Sequence, residues 1–213
     1  MADKDRTKIL DAARGALEIA NYGLKLLSDK DEAKVTAGLS NVAVFGRIVT
    51  SRLQLLRSAD HHFDEWYAPH QEEMAADPLC RYFYELRTAI EHQIPPEPTH
   101  YGTHIEYLDM RDLTPLWAAA PPGARSLFIG DSQGRNGFEV ELPDGTVETY
   151  YIELPPGVHV RDLKTLPNAP TAHLGRPIVD ASLETLASLY LAYLSNLVQS
   201  AASELNLGDG HQP

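Results

Sequence analysis

Apolar residues recur at alternating spacings of three and four near the start of the chain. Leu10, Ala13, Leu17, Ala20, Leu24 and Leu27 form one straight seam, which predicts a helix over residues 5–28. Two seam positions are alanine, so a partner helix can approach closely. A polar break, Ser28 to Glu32, follows. Val35, Val42, Phe45, Val49, Leu53 and Leu56 then predict a second helix over 32–59. Gly38 and Gly46 lie inside it, each costing up to ~1 kcal/mol against alanine. Their spacing puts them on nearly the same side, where another helix could sit close. The short break favours an antiparallel pair. Residues 61–74 predict a helical continuation, a turn or kink at Pro69 and a short second piece, with Phe63, Trp66 and Tyr67 supplying apolar contact. The next helix is well punctuated. Asp77 is a good N-cap, Pro78 suits the first helical position, and Leu79, Phe83, Leu86 and Ile90 form an apolar face. The proline-containing run from Gln93 to Pro98 stops it after His92.

Beyond Pro98 the helical period is lost. Strand-like pieces are expected at 105–108, 126–129, 137–142 and 146–152. The last two flank Pro143-Asp144-Gly145, a tight-turn signal, and predict a β-hairpin. Phe138, Val140 and Leu142 alternate with Glu139 and Glu141, as in a sheet with one buried face. The stretch Gly130 to Gly137 lacks a Gly-Lys-Ser/Thr ending and a following helix, so it reads as a turn rather than a phosphate loop. Residues 153–179 read as a proline-containing loop. Asp180 is expected to cap a final helix to about residue 202, with Leu183, Leu186, Tyr190, Tyr193, Leu194 and Leu197 on its buried face. The expected fold class is mainly α: an antiparallel helical bundle with a small β-hairpin or sheet insertion between the third and last bundle helices. The expected units are 5–98 plus 180–205 for the bundle, 99–179 for the insertion, and a disordered tail at 206–213.

Composition narrows the function classes. The 213 residues are 43% hydrophobic and 23% charged, ordinary for a soluble globular chain. No apolar run reaches the ~18 residues that span a bilayer, and Met-Ala-Asp-Lys-Asp-Arg lacks the apolar centre of a signal peptide. A cytoplasmic protein with no membrane partner is expected. The one cysteine, Cys80, excludes an intrachain disulfide framework and a Cys-based zinc site; a packed thiol is expected. Net charge is −12, from 30 acidic and 18 basic side chains, which argues against broad, sequence-independent binding to nucleic acid but leaves a local basic cleft open. His61, His62 and His70 lie among carboxylates, and His61 and Glu65 share a helix face. No third ligand follows at a characteristic spacing, so a solvated acidic face is favoured over a metal. No metal or cofactor is expected.

The chemistry-bearing constellation is Arg87-Thr88-Ala89-Ile90-Glu91-His92, an arginine, four residues and a histidine at the end of an amphipathic helix. It resembles the HEPN superfamily, whose members are α-helical bundles carrying an Arg-x(4–6)-His motif. The resemblance covers residues 5–93 and, loosely, 180–202, and excludes the β insertion. Many members are metal-independent endoribonucleases of toxin or antiviral type, acting as dimers whose motifs meet in one cleft. The resemblance therefore implies a homodimer, an RNA substrate and an antitoxin or other protein partner. His92 would serve as general base or acid, since histidine titrates near neutrality. Arg87 would hold phosphate oxygens as charge builds on them. Thr88 and Glu91 would adjust the pair. Thr88 stands where the family commonly has Asn, Asp or His, and its hydroxyl can still hydrogen-bond a phosphate.

On a regular helix Arg87 and His92 point about 140° apart, so convergence is expected to need a distorted helix end or a second chain. The competing reading of the same residues is a solvated Arg87–Glu91 pair beside an ordinary helix-end histidine. The alternative function is a non-catalytic HEPN-like bundle that binds a protein or nucleotide, with the β insertion as its recognition surface.

Overall fold

The apolar seams become a helical unit built around one core. In the computed structural model, which describes residues 2–29, 31–93 and 96–205, the chain divides into two units. One comprises residues 1–98 and 166–213, the other residues 99–165. The expected tail at 206–213 lies outside the described residues. The fold is mainly α, with small antiparallel sheets.

In the helical unit, α1 (Ala2–Leu26) packs along α2 (Glu32–Leu53). The Asp31 side chain caps α2 by accepting from Ala33 N–H. The two helices touch at glycine: a Cβ on Gly23 would lie 2.6 Å from the Gly38 carbonyl oxygen, and one on Gly38 would lie 2.7 Å from that of Gly23. Gly46 serves a different neighbour. A Cβ there would lie 2.6 Å from Tyr190 Cε1, so the two α2 glycines admit α1 and the last helix respectively.

The second helix is shorter than expected, tightening into a 3₁₀ turn at Gln54–Ser58. The region after it is simpler. Helix α3 (Phe63–Ala76) is continuous, and Pro69 lies inside it instead of dividing it. Proline removes one ladder bond, to the carbonyl of Glu65. Glu65 and Pro69 are both exposed, on the side of α3 where water can replace a lost ladder bond.

Helix α4 (Pro78–His92) has the expected Asp77 cap, which accepts from Cys80 N–H at 2.8 Å. The final helix, α6 (Leu183–Glu204), is capped by Ser182 and not by Asp180. Asp180 accepts from the Ser182 backbone and hydroxyl, holding the cap in place. Residues from α1, α2, α3, α4 and α6 share one core, with Phe63, Phe83, Leu53, Leu79, Leu186 and Leu194 among its fully buried side chains.

Residues 166–179 were expected in the insertion but belong to the helical unit. Leu166 is buried in the bundle core. A hairpin of β6 (Ala172–His173) and β7 (Arg176–Pro177) follows. Its turn residues, Leu174 and Gly175, both have positive φ, +49° and +72°, as a two-residue I′ turn requires.

The second unit is less purely β than expected. Strand β1 (Thr99–Tyr107) pairs antiparallel with β5 (His159–Thr165). A helix, α5 (Met110–Ala118), lies between β1 and the other sheet in sequence, capped by Asp109 accepting from Arg111 N–H. The other sheet runs β2 (Ala124–Ile129), β3 (Asn136–Glu141), β4 (Val147–Ile152) in spatial order, all antiparallel. The expected hairpin is β3–β4, with Gly145 at φ +83° in its turn. Phe138 and Val140 are buried while Glu139 and Glu141 are exposed.

Candidate functional site

The Arg-x4-His constellation occupies the last turn and a half of α4. That helix ends because Gln93 is extended, at φ −138° and ψ −167°. Within one chain, Arg87 and His92 both approach one carboxylate oxygen of Glu91. Arg87 Nη2 lies 2.6 Å from Glu91 Oε2, and His92 Nε2 lies 3.6 Å from the same oxygen. The separation expected from backbone angles is therefore bridged without a second chain. The long arginine side chain reaches back one turn to Glu91, and His92 folds beside its immediate neighbour.

The accessibility of the three groups differs. The Arg87 and Glu91 side chains are 30% and 28% exposed, and that of His92 is 65% exposed. An incoming ligand would meet the imidazole first. The Arg87–Glu91 pair has i, i+4 geometry and partial exposure, so it contributes only ~0.3–0.5 kcal/mol. That is a small cost for a phosphate to overcome in drawing the guanidinium away. Thr88 is directed elsewhere: its hydroxyl donates to the Tyr84 carbonyl at 3.0 Å, a local back-bond of the kind helical threonines make.

The chain matches no family model, no curated protein and no solved structure.

A second polar cluster, which sequence reasoning missed, lies at the other end of α4. Asp77 is 5% exposed. Besides capping the helix, its Oδ2 accepts from Leu174 N–H at 2.7 Å, and its Oδ1 lies 3.0 Å from His173 Nδ1. A carboxylate only accepts, so that imidazole nitrogen is the donor. Burial opposes ionisation of Asp77. The Leu174 and Cys80 N–H groups and the His173 imidazole outweigh it and hold the carboxyl below its usual range.

Ligand atoms of Asp77, Cys80 and His173 lie within 4.8 Å of one another. Asp77 already takes the Cys80 backbone N–H and His173 Nδ1, and burial pushes the Cys80 thiol well above its usual value, so it stays protonated. The cluster fastens the β6–β7 hairpin to α4. Nothing local announces it, because His173 is 96 residues from Asp77.

The histidine-rich stretch brings together a different pair from the one expected. The His61 and His62 rings lie 4.0 Å apart, tilted by 42°, and it is His62 whose Nδ1 lies 3.7 Å from Glu65 Oε2. Among the described residues no helix is long and apolar enough to cross a membrane.

Proposed function

We propose that this chain is a HEPN-like, metal-independent endoribonuclease of the cytoplasm that works as a homodimer through Arg87 and His92. The observation that carries the reading is the meeting of an exposed imidazole and a lightly held guanidinium at one carboxylate oxygen of Glu91. These are the groups that phosphodiester cleavage by an internal nucleophile needs. His92 would take the proton of the ribose 2′-hydroxyl as its oxygen attacks the adjacent phosphorus. Arg87, released from Glu91, would hold the non-bridging oxygens by two parallel hydrogen bonds as negative charge builds there. The P–O5′ bond breaks and the leaving oxygen takes a proton, giving a 2′,3′-cyclic phosphate and a 5′-hydroxyl. One histidine serves one proton transfer at a time, so a two-fold dimer would supply base and acid from two copies. An antitoxin or other protein partner would then act by covering the exposed His92.

The test is cleavage of a single-stranded RNA by purified protein in EDTA. Wild type is expected to yield cyclic-phosphate ends, and Arg87→Ala and His92→Ala to lose at least ~100-fold in rate, the scale of one general acid–base group. Equal cleavage by all three proteins rules the reading out.

One observation favours the alternative of a non-catalytic bundle with a recognition module. Strand β4 exposes Val147 and Tyr151 on one face and Tyr150 on the other, at 53%, 44% and 54%, apolar area on a sheet-edge strand that suits a protein or nucleotide partner.

A further inference from the structure

Away from Arg87 and His92, the helical unit contains a cavity of about 440 Å³ between α2, α3, α4 and α6. Its volume lies within the range of small-molecule sites, and its polar groups are arranged unusually.

Arg47 and Thr50, one turn apart on α2, form one wall. Arg47 Nη1 donates to the Thr50 hydroxyl at 2.5 Å, and that hydroxyl donates to the Arg47 carbonyl at 2.9 Å. The guanidinium is thus positioned by a neutral group. No carboxylate of the described residues lies within ion-pair distance of it. Tyr190 enters from α6 and is 6% exposed. Its ring is clamped between Gly46 and Phe83, stacking on the latter at 4.3 Å and 7°. Its hydroxyl makes no hydrogen bond to any described residue.

A hydroxyl without a hydrogen bond to the described residues and a guanidinium without a carboxylate partner thus both line one largely apolar cavity. Both groups are donors here. Burial first, and then Cys80, push the Tyr190 hydroxyl well above its usual value despite the opposing pull of Arg47, so it keeps its proton. The Cys80 thiol, which also lines the cavity, is neutral as well. The protein therefore places no anion of its own beside Arg47. Of the other charges on the lining, Glu85 lies 3.9 Å from Arg81 and offsets it, which leaves one cation. Met74, Ala75 and Tyr84 supply apolar wall.

We propose that this cavity binds a small organic monocarboxylate with an apolar, ring-sized body, its carboxylate held by the Arg47 guanidinium and the Tyr190 hydroxyl. A carboxylate offers the acceptor oxygens that both donors lack, and its single charge matches the single uncompensated cation. A dianionic phosphate would leave one charge unpaired in an apolar site.

The test is calorimetric titration of the full chain with naphthalene-2-carboxylate, with its neutral isostere naphthalene-2-carboxamide, and with inorganic phosphate. Wild type is expected to bind the carboxylate at least tenfold more tightly than the amide and phosphate more weakly than either. Arg47→Met, which keeps the packing of the stem, should bring the carboxylate-to-amide ratio to near one. Tyr190→Phe removes only an oxygen and leaves the clamped ring in place, so it should stay folded while weakening the carboxylate several-fold. Arg87→Ala should bind as wild type does, which separates this site from the ribonuclease reading. The proposal is overturned by no binding at millimolar ligand, by equal affinity for carboxylate and amide, or by a preference that persists in Arg47→Met and is untouched in Tyr190→Phe.

Discussion

Replacing Asp77 by alanine should loosen two things at once, the start of α4 and the β6–β7 hairpin. One carboxylate, with its side chain 3% exposed, receives the Cys80 N–H, the Leu174 N–H and the His173 imidazole. Loss of a helix N-cap costs ~1 kcal/mol. A buried donor left without an acceptor costs ~1–3 kcal/mol; His173 supplies one, whereas Leu174, 45% exposed, can turn its N–H to water. The expected loss is therefore ~2–4 kcal/mol. For a chain of this length each kcal/mol shifts Tm by ~2–4 °C. Asp77→Asn should lose less, because the amide oxygen can still cap α4 while its NH₂ group must oppose one of the other donors.

The pH dependence distinguishes this account from simple loss of packing. The folded-state pKa of Asp77 is lowered. Its stabilising contribution is therefore fully present above the ordinary carboxyl value of ~3.9 and is lost as pH falls through the folded value. Urea denaturation followed by circular dichroism at pH 7 and pH 3 measures this. The gap between wild type and Asp77→Asn should narrow at pH 3, because only the wild-type group titrates. An Asp77→Ala protein within ~0.5 kcal/mol of wild type, or a wild-type–Asn gap as large at pH 3 as at pH 7, would refute the reasoning.

Two further outcomes follow from the packing. Gly15→Ala should raise stability by up to ~1 kcal/mol, since a Cβ there meets nothing within 4 Å, whereas Gly23→Ala, facing the Gly38 carbonyl at 2.6 Å, should lower it by ~1–3 kcal/mol in the same denaturation assay. Asp60→Ala should lose ~1–3 kcal/mol, because Asp60 lies 3.0 Å from Arg6 Nη2 with both side chains under 10% exposed and also accepts from His62 N–H; thermal melting showing a loss below ~0.5 kcal/mol would refute this.

The long helical seams were readable because their signal is local. Leu10, Ala13 and Ala20 declare a buried stripe within three turns, and Asp77-Pro78 declares a helix start in two residues. Features that depend on distant partners carried no such mark. The pairing of β1 with β5 joins residues about 60 positions apart, and the Arg47–Tyr190 cavity joins α2 to α6. Helix α5 was hidden because Pro115 lies inside it and proline-containing surroundings read as loop. At Pro69 the opposite error arose: a breaker was given full weight although it lies on the exposed side of α3, where water can replace the lost bond. The Arg87–His92 separation was misjudged because backbone angles ignore the reach of an arginine side chain and the intermediary Glu91. That pair was visible as a motif, but its shared carboxylate oxygen required coordinates.

The tie between the two ends of the helical unit bears on the order in which the chain matures. Arg6 of α1 donates to the carbonyls of Ala59 and of Leu205, the latter 199 residues away, and α6 supplies a large share of the bundle's buried side chains. As the chain leaves the ribosome, α1 to α4 emerge early with the apolar surface that α6 will cover still bare. The whole of residues 99–165 must be made before α6 can arrive. Closing so long a loop adds little to the equilibrium cost, which grows only as the logarithm of loop length, but contacts of such separation slow folding. The helical unit is therefore expected to pass through a period of exposed hydrophobic surface during synthesis, and truncation before residue 183 should yield a chain that aggregates rather than a smaller stable bundle.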